Sequence, residues 1–115
     1  LRQLHDRMER EWRRGRRTAY AKLNNEIHRT IVALAKNGTI LGVHDTLMTK
    51  LRRARYMALM SNVRWDEAVR EHRAILAALD VRDAAIAGHL MAEHVRHTGQ
   101  VVRTRMARGD DALTS

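Results

Sequence analysis

The chain has no proline in 115 residues and only six glycines, so almost nothing in it interrupts a helix. Proline removes an amide donor and clashes with the preceding turn, and glycine costs about 1 kcal/mol in a helix interior. Ala, Leu, Arg, Met and Glu, the better helix formers, are abundant. No stretch alternates apolar and polar residues with period two over a useful length. The expectation is an all-α fold, an antiparallel helical bundle.

Five helices account for the pattern. The first runs from the start to about Arg14 and stops at Gly15. The second opens at Thr18 as its N-cap, carries Tyr20, Leu23, Ile27, Ile31 and Leu34 as its apolar positions, and ends at Asn37-Gly38. Thr39 is expected to cap the third, with Ile40, Val43, Leu47, Leu51 and Ala58 on its apolar positions. Ser61-Asn62 breaks the pattern before a fourth helix carrying Trp65, Ala68, His72, Ile75, Leu76 and Leu79. Asp83 starts the fifth, through Ala87, Leu90, Met91, His94 and Val101 to Met106. The helical domain is thus expected to fill residues 1–108, with 109–115 a frayed tail. Leu1, Leu4 and Met8 are in helical phase with no cap before them, so an upstream segment is expected to precede them and the bundle to be truncated at its N-terminus.

With no Cys, a disulfide framework, a Cys-based zinc ribbon and a thiol nucleophile are excluded. No apolar run approaches the roughly 20 residues of a membrane span, and Arg and Glu interrupt every early apolar stretch where a signal peptide would lie. A cytoplasmic protein is expected. There is no Gly-x-Ser-x-Gly elbow, phosphate-binding glycine loop, dinucleotide fingerprint or His-Glu-x-x-His, so no enzyme is expected.

Seven histidines are a high number for this length. His5 and His97 flank polar residues and read as solvated, and His44 is ambiguous. The sharper cases are His28, adjacent to Ile27 and one turn before Ile31; His72, inside the apolar stripe of the fourth helix; and His94, one turn after Leu90. Each aims an imidazole at the bundle interior. Taken singly, each reads as a hydrogen-bonded core histidine, because an unpartnered buried imidazole costs on the order of a few kcal/mol. Taken together, they favour one shared explanation, a divalent metal held by neutral imidazoles. Asn24, four residues before His28, offers a carboxamide oxygen as fourth ligand. That donor set leaves the ion its charge and favours Zn²⁺ or Ni²⁺. No His has a Glu three residues before it, so the paired motif of di-iron bundles is missing.

The segment Leu23-Asn24-Asn25-Glu26-Ile27-His28 resembles the Asp/Asn-x-x-x-His signature of FCD domains, the effector-binding C-terminal domains of the FadR subfamily of GntR-type bacterial transcription regulators. The likeness continues through Ala35-Lys36-Asn37-Gly38-Thr39-Ile40-Leu41, with Gly38 where the family's corner has Pro. It resumes at Glu71-His72-Arg73-Ala74-Ile75-Leu76-Ala77-Ala78-Leu79 and closes with Asp83, Ala87, Met91 and His94. The resemblance covers most of residues 18–95. It implies an antiparallel bundle that binds a divalent metal through Asn24, His28, His72 and His94. A small organic acid would bind at the metal and nearby basic groups, and change the hold of a homodimeric repressor on DNA. Asn24 stands where the family often has Asp, which removes one negative charge from the site. The family's winged helix-turn-helix matches nothing here, so the chain is expected to be the C-terminal part of a longer regulator, reaching DNA through an absent N-terminal domain.

The formal charge of +9 supports an alternative, a stand-alone basic helical protein that binds nucleic acid. Arg13, Arg14, Arg16 and Arg17 cluster around Gly15, and Arg52, Arg53 and Arg55 cluster on the third helix. Against it, the only aromatics are Trp12, Trp65, Tyr20 and Tyr56, and none is interleaved with the basic runs to stack bases. Arg55, one turn past Leu51, is the basic group assigned to an anionic effector.

Overall fold

A computed structural model describes residues 1–108 of the chain. Five α-helices and no strand occur among the described residues: α1 (Arg2–Arg13), α2 (Arg17–Leu34), α3 (Gly38–Ala58), α4 (Asn62–Asp80) and α5 (Ala84–Ala107). The all-α expectation holds. The expected tail, 109–115, lies outside the described residues. None of the described helices is long and apolar enough to cross a membrane. The chain divides into two compact units, Leu1–Tyr56 and the residues from Met57 onward.

In the first unit α1 and α2 pack as a hairpin, and its buried apolar residues are Met8, Tyr20, Leu23 and Ile27. The reversal needs a left-handed backbone, which Gly15 supplies with φ of 70° at no steric cost. The N-cap of α2 is Arg16, not Thr18, whose hydroxyl instead lies 3.1 Å from the Tyr56 hydroxyl. Lys36 in turn has φ of 55° and ends the helical run. Asn37, rather than Thr39, caps α3: its side-chain oxygen accepts from the Ile40 amide at 3.1 Å.

Two further features of this unit do not follow from the apolar pattern. Ile40, Val43, Leu47 and Leu51 are exposed along α3. Periodicity identifies residues that share a face but not whether anything covers it. His5 is buried, with Nδ1 3.8 Å from the Glu9 carboxylate, because it lies three residues before Met8 on the inward face of α1.

In the second unit α4 packs on α5, and Ala58, Trp65, Ala68, Val69, Ile75, Ala78 and Ala87 are buried. Ser61 caps α4 by accepting from the Arg64 amide at 3.2 Å. Asp83 caps α5, as expected, by accepting from the Ile86 amide at 3.0 Å. These caps satisfy amide donors that the first turn of a helix leaves without partners. They also fix where α4 and α5 begin, and so which side chains face each other across the pair.

Candidate metal centre

In the first unit Asn24 and His28 lie one turn apart on α2, Asn24 half-buried and His28 buried. Residues four apart share a helix face, so the two side chains can serve one ligand. Arg29 makes a forked pair with Asp45 of α3, with N–O distances of 3.0 and 3.1 Å. Arg55 is partly buried. Its guanidinium donates to Asn25 Oδ1 at 3.3 Å and to the Met48 sulfur, both neutral groups. Among the described residues it meets no carboxylate, and burial pushes its pKa down. A desolvated cation without a counter-charge attracts an anion strongly.

In the second unit His72 of α4 and His94 of α5 are both buried, and their rings meet edge to face with centroids 4.6 Å apart. The structure therefore brings together two of the predicted ligands across the α4–α5 pair.

Glu71, beside His72 in sequence, sits at the centre of the network on this pair. It lies 2.7 Å from His94 Nδ1 and 2.6 Å from His97 Nδ1, and accepts from Arg64 Nη2 at 2.7 Å and Nη1 at 3.1 Å. Burial alone would raise the Glu71 pKa; hydrogen bonds from His94, Arg64 and His97, with the charge of Arg64, overcome it and hold the carboxyl well below the usual range. An ionised carboxylate has no proton to give, so Nδ1 of His94 must be the donor. That fixes the neutral ring as the tautomer whose Nε2 carries the lone pair available to a metal.

Arg64 is only 2% exposed. Besides Glu71 it reaches Glu67 at 3.3 Å, the Thr98 hydroxyl at 3.0 Å and the His94 carbonyl at 3.3 Å. A buried guanidinium with several oxygen acceptors is compensated, and here it ties α4 to the turn of α5 that carries His94.

The sequence reading missed Arg64 and the function of Glu71. A weak signal was present, because residues 64 and 71 are two turns apart on one face of α4. His97, expected to be solvated, is held as well. Its side chain is 41% exposed, yet Glu71 holds it from one side and Glu93 lies 3.6 Å from its Nε2.

The family model described as the FCD domain matches residues 1–97. A probable D-xylose utilization operon transcriptional repressor from Paenarthrobacter nicotinovorans is 31% identical over 81 residues, which cover 70% of this chain and 35% of that protein. The chain thus corresponds to about a third of the length of that relative. No solved structure matches.

Proposed function

Because the chain belongs to the FCD domain family, we propose that it is the effector-sensing domain of a GntR-type bacterial transcription regulator. The observation that carries this reading is the family match over residues 1–97, which spans every candidate ligand. The similarity to a transcriptional repressor supports it further. The role is regulatory rather than enzymatic, in a cytoplasmic protein that acts on DNA through a separate N-terminal domain.

In this reading a divalent metal, Zn²⁺ or Ni²⁺, is held by Asn24, His28, His72 and His94. The donor chemistry fits, because the three imidazoles are buried and Glu71 presets the tautomer of His94. Neutral nitrogen and amide donors leave the ion its positive charge, which then receives the carboxylate of a small organic acid. Arg55, a partly buried cation with neutral partners, is the second anchor for that anion. The regulator acts as a homodimer, and the exposed apolar row Ile40, Val43, Leu47 and Leu51 on α3 supports burial against a second copy.

Calorimetric titration of a panel of small carboxylic acids into metal-loaded protein tests the reading. Wild type binds a member of the panel and His72→Ala does not. Equal affinity in both proteins, or none in either, removes the sensing mechanism.

A further inference from the structure

The charge of the chain is distributed unevenly. Residues 1–56 hold 14 Lys and Arg against 5 Asp and Glu, whereas residues 57–115 hold 8 against 8, so the whole excess of +9 belongs to the first unit. The arginine cluster most obvious in the sequence is only partly neutralised. Arg13 pairs with Glu9 at 3.5 Å, and Arg14 and Arg16 flank Glu11 at 3.9 and 3.7 Å.

Arg14 of that cluster, whose side chain is largely exposed 3.9 Å from Glu11, also lines an open cleft of about 460 Å³ between α1 and α2. Its cationic walls are Arg7 and Arg10 of α1, Arg14 at the C-cap of that helix and Lys22 of α2, with Glu11 and Glu26 as the acidic members. Arg7, Arg10 and Lys22 are exposed and enter no ion pair among the described residues.

We propose that this cleft holds the phosphodiester backbone of duplex DNA, as a contact additional to that of the regulator's DNA-binding domain. Arg7, Arg10 and Arg14 follow the i, i+3, i+7 spacing of one helix face and span about 10 Å along the axis. A DNA strand advances about 3.4 Å per phosphate, so the row covers about three successive phosphates. Lys22 faces them from the opposite wall. No aromatic side chain lines the cleft to stack bases, which favours a duplex backbone over a single strand. No exposed apolar side chain lines it to enter a lipid surface. The binding is sequence-independent, since phosphate contacts position a protein without reading bases.

The choice of DNA among polyphosphates rests on the regulator reading; the phosphate-binding cleft itself does not. The test uses the 115-residue chain and a short fluorescein-labelled duplex of arbitrary sequence, followed by anisotropy as salt is raised. Four phosphate contacts predict a slope of log affinity against log salt of about −3.6, and a loss of roughly a hundredfold between about 50 and 200 mM. Arg7→Ala with Arg10→Ala reduces the slope by about 1.8, to a loss of roughly tenfold over the same range. Arg70→Ala with Arg103→Ala, exposed cations of the second unit, leaves it unchanged. Circular dichroism confirms that both variants keep the helical content of wild type.

Absence of binding at low salt, or an equal slope in wild type and Arg7→Ala/Arg10→Ala, overturns the proposal. Tighter binding to single-stranded nucleic acid or to anionic vesicles than to the duplex also overturns it, by assigning the cleft to another partner. Failure of this experiment leaves carboxylate binding at the metal intact, and failure of carboxylate binding leaves this slope intact, so the two readings fail separately.

Discussion

Replacing Glu71 with Ala removes the acceptor that Arg64, His94 and His97 share. Arg64, 2% exposed with Glu71 in place, loses its two shortest carboxylate contacts, at 2.7 and 3.1 Å. It retains Glu67 at 3.3 Å, whose side chain is 40% exposed and so a weaker counter-charge. Breaking a buried ion pair from one side costs about 3 to 5 kcal/mol. The remaining Glu67 contact and the partial exposure of Glu71 place Glu71→Ala near the lower end, about 3 kcal/mol. Glu71→Gln keeps the shape and one acceptor, and costs about 1.5 kcal/mol, the worth of a hydrogen bond to a charged group. Urea unfolding followed by circular dichroism measures both, read as a fall in midpoint at unchanged slope. Loss of the acceptor also frees the His94 tautomer and weakens metal binding about 10- to 100-fold. A Glu71→Ala protein within about 0.5 kcal/mol of wild type would refute the compensated-network reasoning, because that is the range of a neutral surface change.

Two smaller outcomes are expected elsewhere. The hydrogen bond from Arg29 holds the Asp45 carboxyl below its ordinary value of 3.8, so its contribution to stability is present above that value and disappears as pH falls through the lowered one. Arg29→Ala returns the Asp45 titration, followed by carboxyl NMR, toward the ordinary range, and an unmoved midpoint would contradict the pairing. Ser61→Ala and Asp83→Ala each remove a helix N-cap, at a cost of about 1 kcal/mol in the same urea experiment. Losses below about 0.3 kcal/mol would mean that the caps are redundant with the packing of the helices.

The part of the architecture legible in the sequence is the part set by local rules. Helical phase alone assigned His28, His72 and His94 to inward positions, and all three are buried. The short polar side chains of Ser61 and Asp83 mark the starts of α4 and α5, but at the starts of α2 and α3 the flanking chemistry misleads. Thr18 is engaged by Tyr56, 38 residues away, and Asn37 outcompetes Thr39 as the cap of α3. His5 was misread from its polar neighbours, although its spacing of three to the fully buried Met8 indicated the inward face. The row Ile40, Val43, Leu47, Leu51 was visible as a face, but its exposure depends on tertiary contacts that no local pattern encodes. The Glu71 network has the same origin. Arg64 and Glu71 share one helix, whereas His94 and His97 reach them only because α5 folds back on α4.

The proposed centre is one divalent ion held by Asn24, His28, His72 and His94. Its most direct test is metal content by plasma mass spectrometry after loading with Zn²⁺ or Ni²⁺ and exhaustive dialysis. Wild type retains one equivalent per chain, and His28→Ala, His72→Ala and His94→Ala, taken one at a time, each lose it. His89→Ala, an exposed histidine on α5, retains the metal. Metal retained by all three single variants at the wild-type level, or absent from wild type under saturating load, would contradict it.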